Sequence, residues 1–234
     1  MSSITVDSTA ALTSALKSAH DGDTILLKAG TYSGLYFSNL TFATGVTITS
    51  ADAANRAVLT SFGVDNAHGI TFSNVEMVTQ STGYFDYIVT NSSNLSFDHV
   101  SVHGSLDGNV LNDIEGIQIS GSSNISVTNS EFQQLERAMA ISTSSNITVA
   151  NNHVHDVGTT GFMFGQVSNV KITGNVLDNF HVPTGDHPDA IQFLTSNATA
   201  PTHDVLISDN VLFRGGGDAF QGIFVADQAT TMHY

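Results

Sequence analysis

The chain has 234 residues, enough for one domain with a sizeable core or for two small ones. Six Lys+Arg against 21 Asp+Glu give a formal charge of −15, which argues against binding nucleic acid or an anionic bilayer. No window approaches the roughly 18 unbroken apolar residues of a membrane span, and the lack of cysteine excludes disulfides, thiolate metal sites and cysteine nucleophiles. The opening MSSITVDSTA has neither a basic nor an apolar leader segment, so no cleavable signal is visible.

In chain order, residues 8–20 predict a helix with Ser8 as N-cap and Leu12, Ala15, Leu16 and Ala19 on one face. Asp21-Gly22-Asp23 then turns the chain into a strand over residues 24–27. Farther on, one short phrase recurs, starting at Ile70, Leu95, Ile125, Ile147, Val170 and Val205 and reading, for example, Ile125-Ser-Val127-Thr-Asn129. Apolar residues alternate within it, the period of a strand with one buried face. Seven positions after each start stands another apolar residue: Met77, Val102, Phe132, Val154, Leu177 and Leu212. Ahead of each phrase lies an inward pair such as Tyr87/Val89, Ile117/Ile119 or Phe162/Phe164, and Ile223/Val225 is the last. Three short strands per coil, with no hairpin signals between them, predict an all-β parallel β-helix over residues 1–234, closed at its start by the helix. No cap is visible at the other end, so a truncated chain or a partner chain covering that edge is expected there, making an oligomer through the last coil one reading.

The coil pattern, the asparagines at a tight turn and the stretch Gly22 to Tyr32 (GDTILLKAGTY) resemble the pectate-lyase-like superfamily of right-handed parallel β-helices, especially chondroitinase- and alginate-lyase-type enzymes. The resemblance implies a groove along the first strand of each coil, an acidic polysaccharide as partner, and secretion. Independently, the long insertions at 103–113, 179–188 and 213–220 all precede a first strand and so hang over one side. Stacking by register puts Phe85, Glu115, Arg137, Thr160, Asp189 and Gln221 in one column, and Ile88, Gln118, Ala140, Met163, Gln192 and Phe224 in another. Between them Asp86, Gly116, Ala138, Gly161, Ala190 and Gly222 read as a floor of small residues.

The densest polar cluster is Asp186-His187-Pro188-Asp189, with His181 five residues before it. This segment looks like the Asp-and-His cluster of mannuronan C5-epimerases and related lyases, although the Tyr and Lys that those enzymes also use are not found in this loop. Taking a proton from C5 of a uronate needs a base near neutral pH, which suits histidine, and a cation or protonated group beside the carboxylate. His187 is therefore the expected base or acid and Arg137 the partner of the substrate carboxylate. Asp186 and Asp189 are the expected orienting groups or, alternatively, ligands of Ca²⁺. Glu115, Gln118, His155, His181, Gln192, Arg214, Asp218 and Gln221 are the expected glycan contacts. Plainer readings stand beside these: Arg137 paired with Glu115 one coil away, and Asp186 capping a turn. The second cluster, His153-Val154-His155-Asp156, sends two imidazoles outward, but a third metal ligand of suitable geometry is not evident, and solvated histidines are the simpler expectation. Two rival functions remain: a glycoside hydrolase or tailspike-type depolymerase using Glu115, Asp189 and Asp218, and a non-catalytic binding or structural module.

Overall fold

The computed structural model describes residues 1–80, 83–195 and 198–226. Every strand pairing in it is parallel, and the strands stack into three faces of a coiled solenoid. The repeated phrase forms the second strand of each coil, as in Ser93–Asp98, Ser123–Thr128 and Ser145–Ala150, within a sheet of nine strands running from Ser3–Val6 to His203–Ser208. First strands such as Phe85–Thr90 and Glu115–Ser120, and third strands such as Glu76–Val78 and Ser101–His103, build the other two faces. The inward residues Ile70, Phe72, Phe97, Val127 and Val149 are at most 1% exposed. Phe62 stacks on Phe72 within one coil, and Phe72 stacks on Phe97 of the next. No helix among the described residues is long and apolar enough to cross a membrane.

The expected terminal helix is present as Thr9–Ser18, with the Ser8 hydroxyl accepting from Ala11 N–H and Leu12, Ala15 and Leu16 buried. It packs on Ser3–Val6 and Thr24–Leu27, the first two rungs of the nine-stranded sheet. At the far end, Ile223 and Val225 are half exposed, and the expected uncapped C-terminus falls on residues 227–234, outside the described residues.

Where no loop is inserted, third and first strands are not separate. Glu131–Ser142 and His153–Gly165 run on as strands of 12 and 13 residues that bend around the corner, with Gln134 and Asp156 at positive φ supplying the kinks. The turn asparagines also divide into two columns. Asn74, Asn129 and Asn151 adopt left-handed backbone, which asparagine tolerates. The next residues, Asn152 and Asn175, point inward instead and form a buried amide ladder. Asn175 Oδ1 accepts from both Asn152 N–H and Asn152 Nδ2 at 2.9 Å, while Asn175 Nδ2 donates to Val149 O. Asn175→Ala strands buried donors on Asn152, each costing roughly 1–3 kcal/mol, so a loss of about 2–3 kcal/mol in denaturant unfolding is expected.

Candidate active site

The strand Asp189–Leu194 opens on Asp189, which pairs in register with Thr160 below and Gln221 above, and Thr160 pairs with Arg137. Arg137 and Asp189 therefore share one flank, two rungs or about 10 Å apart. Pro188 and Asp189 are buried while Asp186 and His187 are exposed, so the cluster spans the boundary between core and solvent.

Asp189 has no exposed surface on its side chain. Its Oδ2 accepts from Gln192 Nε2 at 2.6 Å and lies 3.4 Å from His187 Nδ1, while Oδ1 is buried without a hydrogen-bond partner. Burial pushes the Asp189 carboxyl up from its ordinary value, against the opposing pull of His187 and Gln192. The His187 ring is 57% exposed and sits 5.5 Å from the ring of Phe224, and its backbone N–H donates to Asp186 Oδ1. A proton on Nδ1 facing Asp189 leaves Nε2 as the free acceptor, the tautomer of a general base. Asp186, His187, Asp218 and Gln221 line one open pocket of about 410 Å³ together with Val182 and Phe220.

Arg137 Nη1 meets Glu115 Oε2 at 2.7 Å, and the two side chains are 19% and 7% exposed. Arg137 Nε is buried without a partner, and burial raises Glu115 despite the attraction of Arg137. The plainer reading of this pair holds as a contact, one coil apart as the register requires.

The remaining candidates divide. Gln118 is partly exposed in a shallow cleft with Ala140, Met163 and Gln166, whereas the Gln192 amide is turned onto Asp189. Arg214 Nε donates to Gly217 O and Asp218 Oδ2 accepts from Val182 N–H, so both brace loops around the pocket. His155 Nδ1 and His181 Nε2 both bond Asp156, at 2.6 and 2.9 Å. The expected floor of small residues is not a floor: Ala138 and Ala190 have no exposed surface, and Gly116 and Gly161 are buried. The corner breaks the alternation, so this column faces inward. A Cβ at Gly161 would lie 2.5 Å from Ala190 O and from Leu177 Cδ2. Gly161→Ala is accordingly expected to cost about 1–3 kcal/mol in a thermal or denaturant melt.

For calcium, Asp186 and Asp189 lack the company that an ion of six to eight oxygen ligands needs. Among the described residues, the only group of three His, Asp or Glu side chains able to share a metal lies elsewhere. The residues do not fit a calcium site here. Asp156, which closes the 153–156 cluster in the sequence, turns through its left-handed φ onto both His155 and His181, a contact the sequence did not show. Sequence reasoning missed Tyr36, which is 66% exposed and belongs to the Gln118 column through Gly63 and Ile88. Extending that column two rungs toward the N-terminus would have found it.

Three faces of stacked parallel strands with polar side chains gathered on one flank define a parallel β-helix protein. The chain belongs to the right-handed beta helix region family, whose model matches residues 33–233. No curated protein matches it in sequence. Among solved structures it is similar to the pectate lyase Bsp165PelA from Bacillus sp. N165 in complex with trigalacturonate, with a TM-score of 0.62 and 13% identity over 90% of this chain and 82% of that one. It is similar to PfbA, a surface adhesin of Streptococcus pneumoniae, with a TM-score of 0.57 and 15% identity over 88% and 76%. The periplasmic alginate epimerase AlgG follows the same fold with a TM-score of 0.54 and 13% identity over 89% of this chain, which spans 55% of that longer one.

Proposed function

We propose that this β-helix is a carbohydrate-active enzyme that removes the C5 proton of a uronate within an acidic polysaccharide, as a lyase or as a C5-epimerase. The observation that carries the reading is the His187–Asp189 pair standing in register with Arg137 on one flank. His187 takes the proton through Nε2, the buried Asp189 orients its ring, and Arg137 faces the substrate carboxylate whose charge grows in the transition state. In a lyase the electron pair left at C5 forms the C4–C5 double bond and expels the C4 oxygen, which takes up a proton from water or from the protonated His187, leaving an unsaturated uronate. In an epimerase a proton returns to the opposite face. Two of the structural neighbours, a pectate lyase with trigalacturonate and an alginate epimerase, make uronate polymers the first class to test. A polymer substrate also favours a site outside the cytoplasm.

The charge of −15 works against a polyanion at long range. Turnover at low ionic strength should therefore rise with the first additions of salt. The hydrolase reading is weaker on geometry: Glu115 and Asp189 lie three rungs apart in their column, about 14 Å, whereas paired glycosidase carboxylates stand within about 9.5 Å. The test is a panel of polygalacturonate, alginate and chondroitin, read by ultraviolet absorbance of unsaturated product and by C5 proton exchange in heavy water. One positive signal supports the reading. New reducing ends without either signal turn it into a hydrolase, and silence in all three leaves a binding module.

A further inference from the structure

We propose that Glu131, His153 and His155 form a site for a zinc-type divalent ion, bridging two coils on the flank built by the third strands. Glu131 and His153 are register partners on neighbouring rungs. Val154 points into the core with no exposed surface, so His153 and His155 leave the strand on the same outer face. Their ring centroids are 4.3 Å apart, and one ligand atom from each of the three residues lies within 4.8 Å of the others. Zinc bonds of about 2.0–2.2 Å set tetrahedral ligand atoms roughly 3.3 Å apart. The pair Glu131 Oε1 and His155 Nε2 is already at 3.3 Å, so only small side-chain movements bring the third atom in.

The other ring nitrogens are held as a metal site requires. His153 Nε2 meets Asp178 Oδ2 at 2.9 Å, and His155 Nδ1 meets Asp156 Oδ2 at 2.6 Å. Each imidazole is thus oriented by a carboxylate on one nitrogen, which leaves His153 Nδ1 and, beside Glu131, His155 Nε2 as the ligand atoms. Three carboxylates around the two imidazoles favour a dication, and two nitrogens with one oxygen suit zinc rather than calcium or magnesium. The ion would tie the coil of Glu131 to that of the histidines. It would also hold the Asp156 that anchors His181 of the 179–188 loop. The site stands apart from the proposed uronate chemistry and does not depend on it.

The test is calorimetric titration of the full, tag-free chain with zinc chloride alone, alongside thermal melts with and without the ion. One saturable site is expected, with a melt that rises on zinc addition. Glu131→Gln and His155→Ala should each weaken binding by more than about tenfold and abolish the rise. Asp178→Asn should weaken it by about 10–100-fold through the loss of ring orientation. His203→Ala, which breaks a separate histidine–carboxylate pair, should leave binding unchanged. If His155→Ala does not fold, Glu131→Gln carries the comparison, since it removes only a charge from an exposed side chain. No saturable zinc binding, or binding that survives Glu131→Gln, overturns the proposal.

Discussion

If the proposed uronate chemistry holds, His187→Ala should lower turnover by at least about a hundredfold and leave the thermal melt unchanged. Positioned acid–base groups supply about 10²–10⁴-fold in rate, and a ring that is more than half exposed leaves no cavity when truncated. Initial rates on the active polymer, set beside a melt, check both halves. Asp189→Asn should lose rate in the same way, because an amide holds the imidazole less firmly than a carboxylate does, yet it should act on stability in the opposite direction. Burial raises the carboxyl of Asp189, so the folded chain holds that proton more tightly than the unfolded one. Its contribution to stability therefore falls as pH rises from about 3.9, the ordinary carboxylate value, through the raised folded value. Above that window the wild type carries the full cost of the buried charge and the asparagine variant carries none. Melts across the acidic range should show the variant at or above wild type near neutral pH, with the gap closing as pH falls. A variant that melts far below wild type at neutral pH would make Asp189 a structural keystone and remove it from the chemistry.

Arg137→Ala destabilises the fold by about 3–5 kcal/mol, because it leaves Glu115 as an uncompensated buried charge. That cost obscures any role in catalysis unless the pair is removed together. In the double variant Glu115→Gln with Arg137→Met no charge is stranded, and stability should return to the wild-type level or exceed it by about 1–4 kcal/mol. Denaturant unfolding measures this half of the cycle. Activity decides the other half. If Arg137 meets the substrate carboxylate, kcat/KM stays low in the refolded double variant. If the arginine serves only Glu115, kcat/KM recovers with stability, and the carboxylate partner has to be sought elsewhere on the flank.

The coil was legible because its rules are local. Alternation marks Ile125 and Val127 as inward, and the residue that closes the phrase takes the left-handed turn, as Asn129 and Asn151 do. The rung partners followed from stacking alone: Glu115 beside Phe85, Asp189 beside Thr160, Gln118 beside Ile88. The cluster at 186–189 stood out by its density of acid and imidazole. Other features were not legible because they depend on how a corner bends. Ala138 and Ala190 face the core since two successive residues point inward there, which no period of two foresees. Gln192 and Arg214 carry groups suited to a glycan, but one is turned onto Asp189 and the other onto Gly217 O.

The sequence by itself determined the β-helix, its buried residues and the flank on which its longest loops gather, because strand alternation and turn chemistry act over a few neighbouring residues. Only the tertiary structure decided which polar groups meet and how much water they keep. Glu131 reaches His155, Gln192 turns onto Asp189, and Asp156 joins two histidines, through contacts made between coils or around corners. Their geometry is set by rung register and corner kinks, whose effect appears once the whole spiral is stacked.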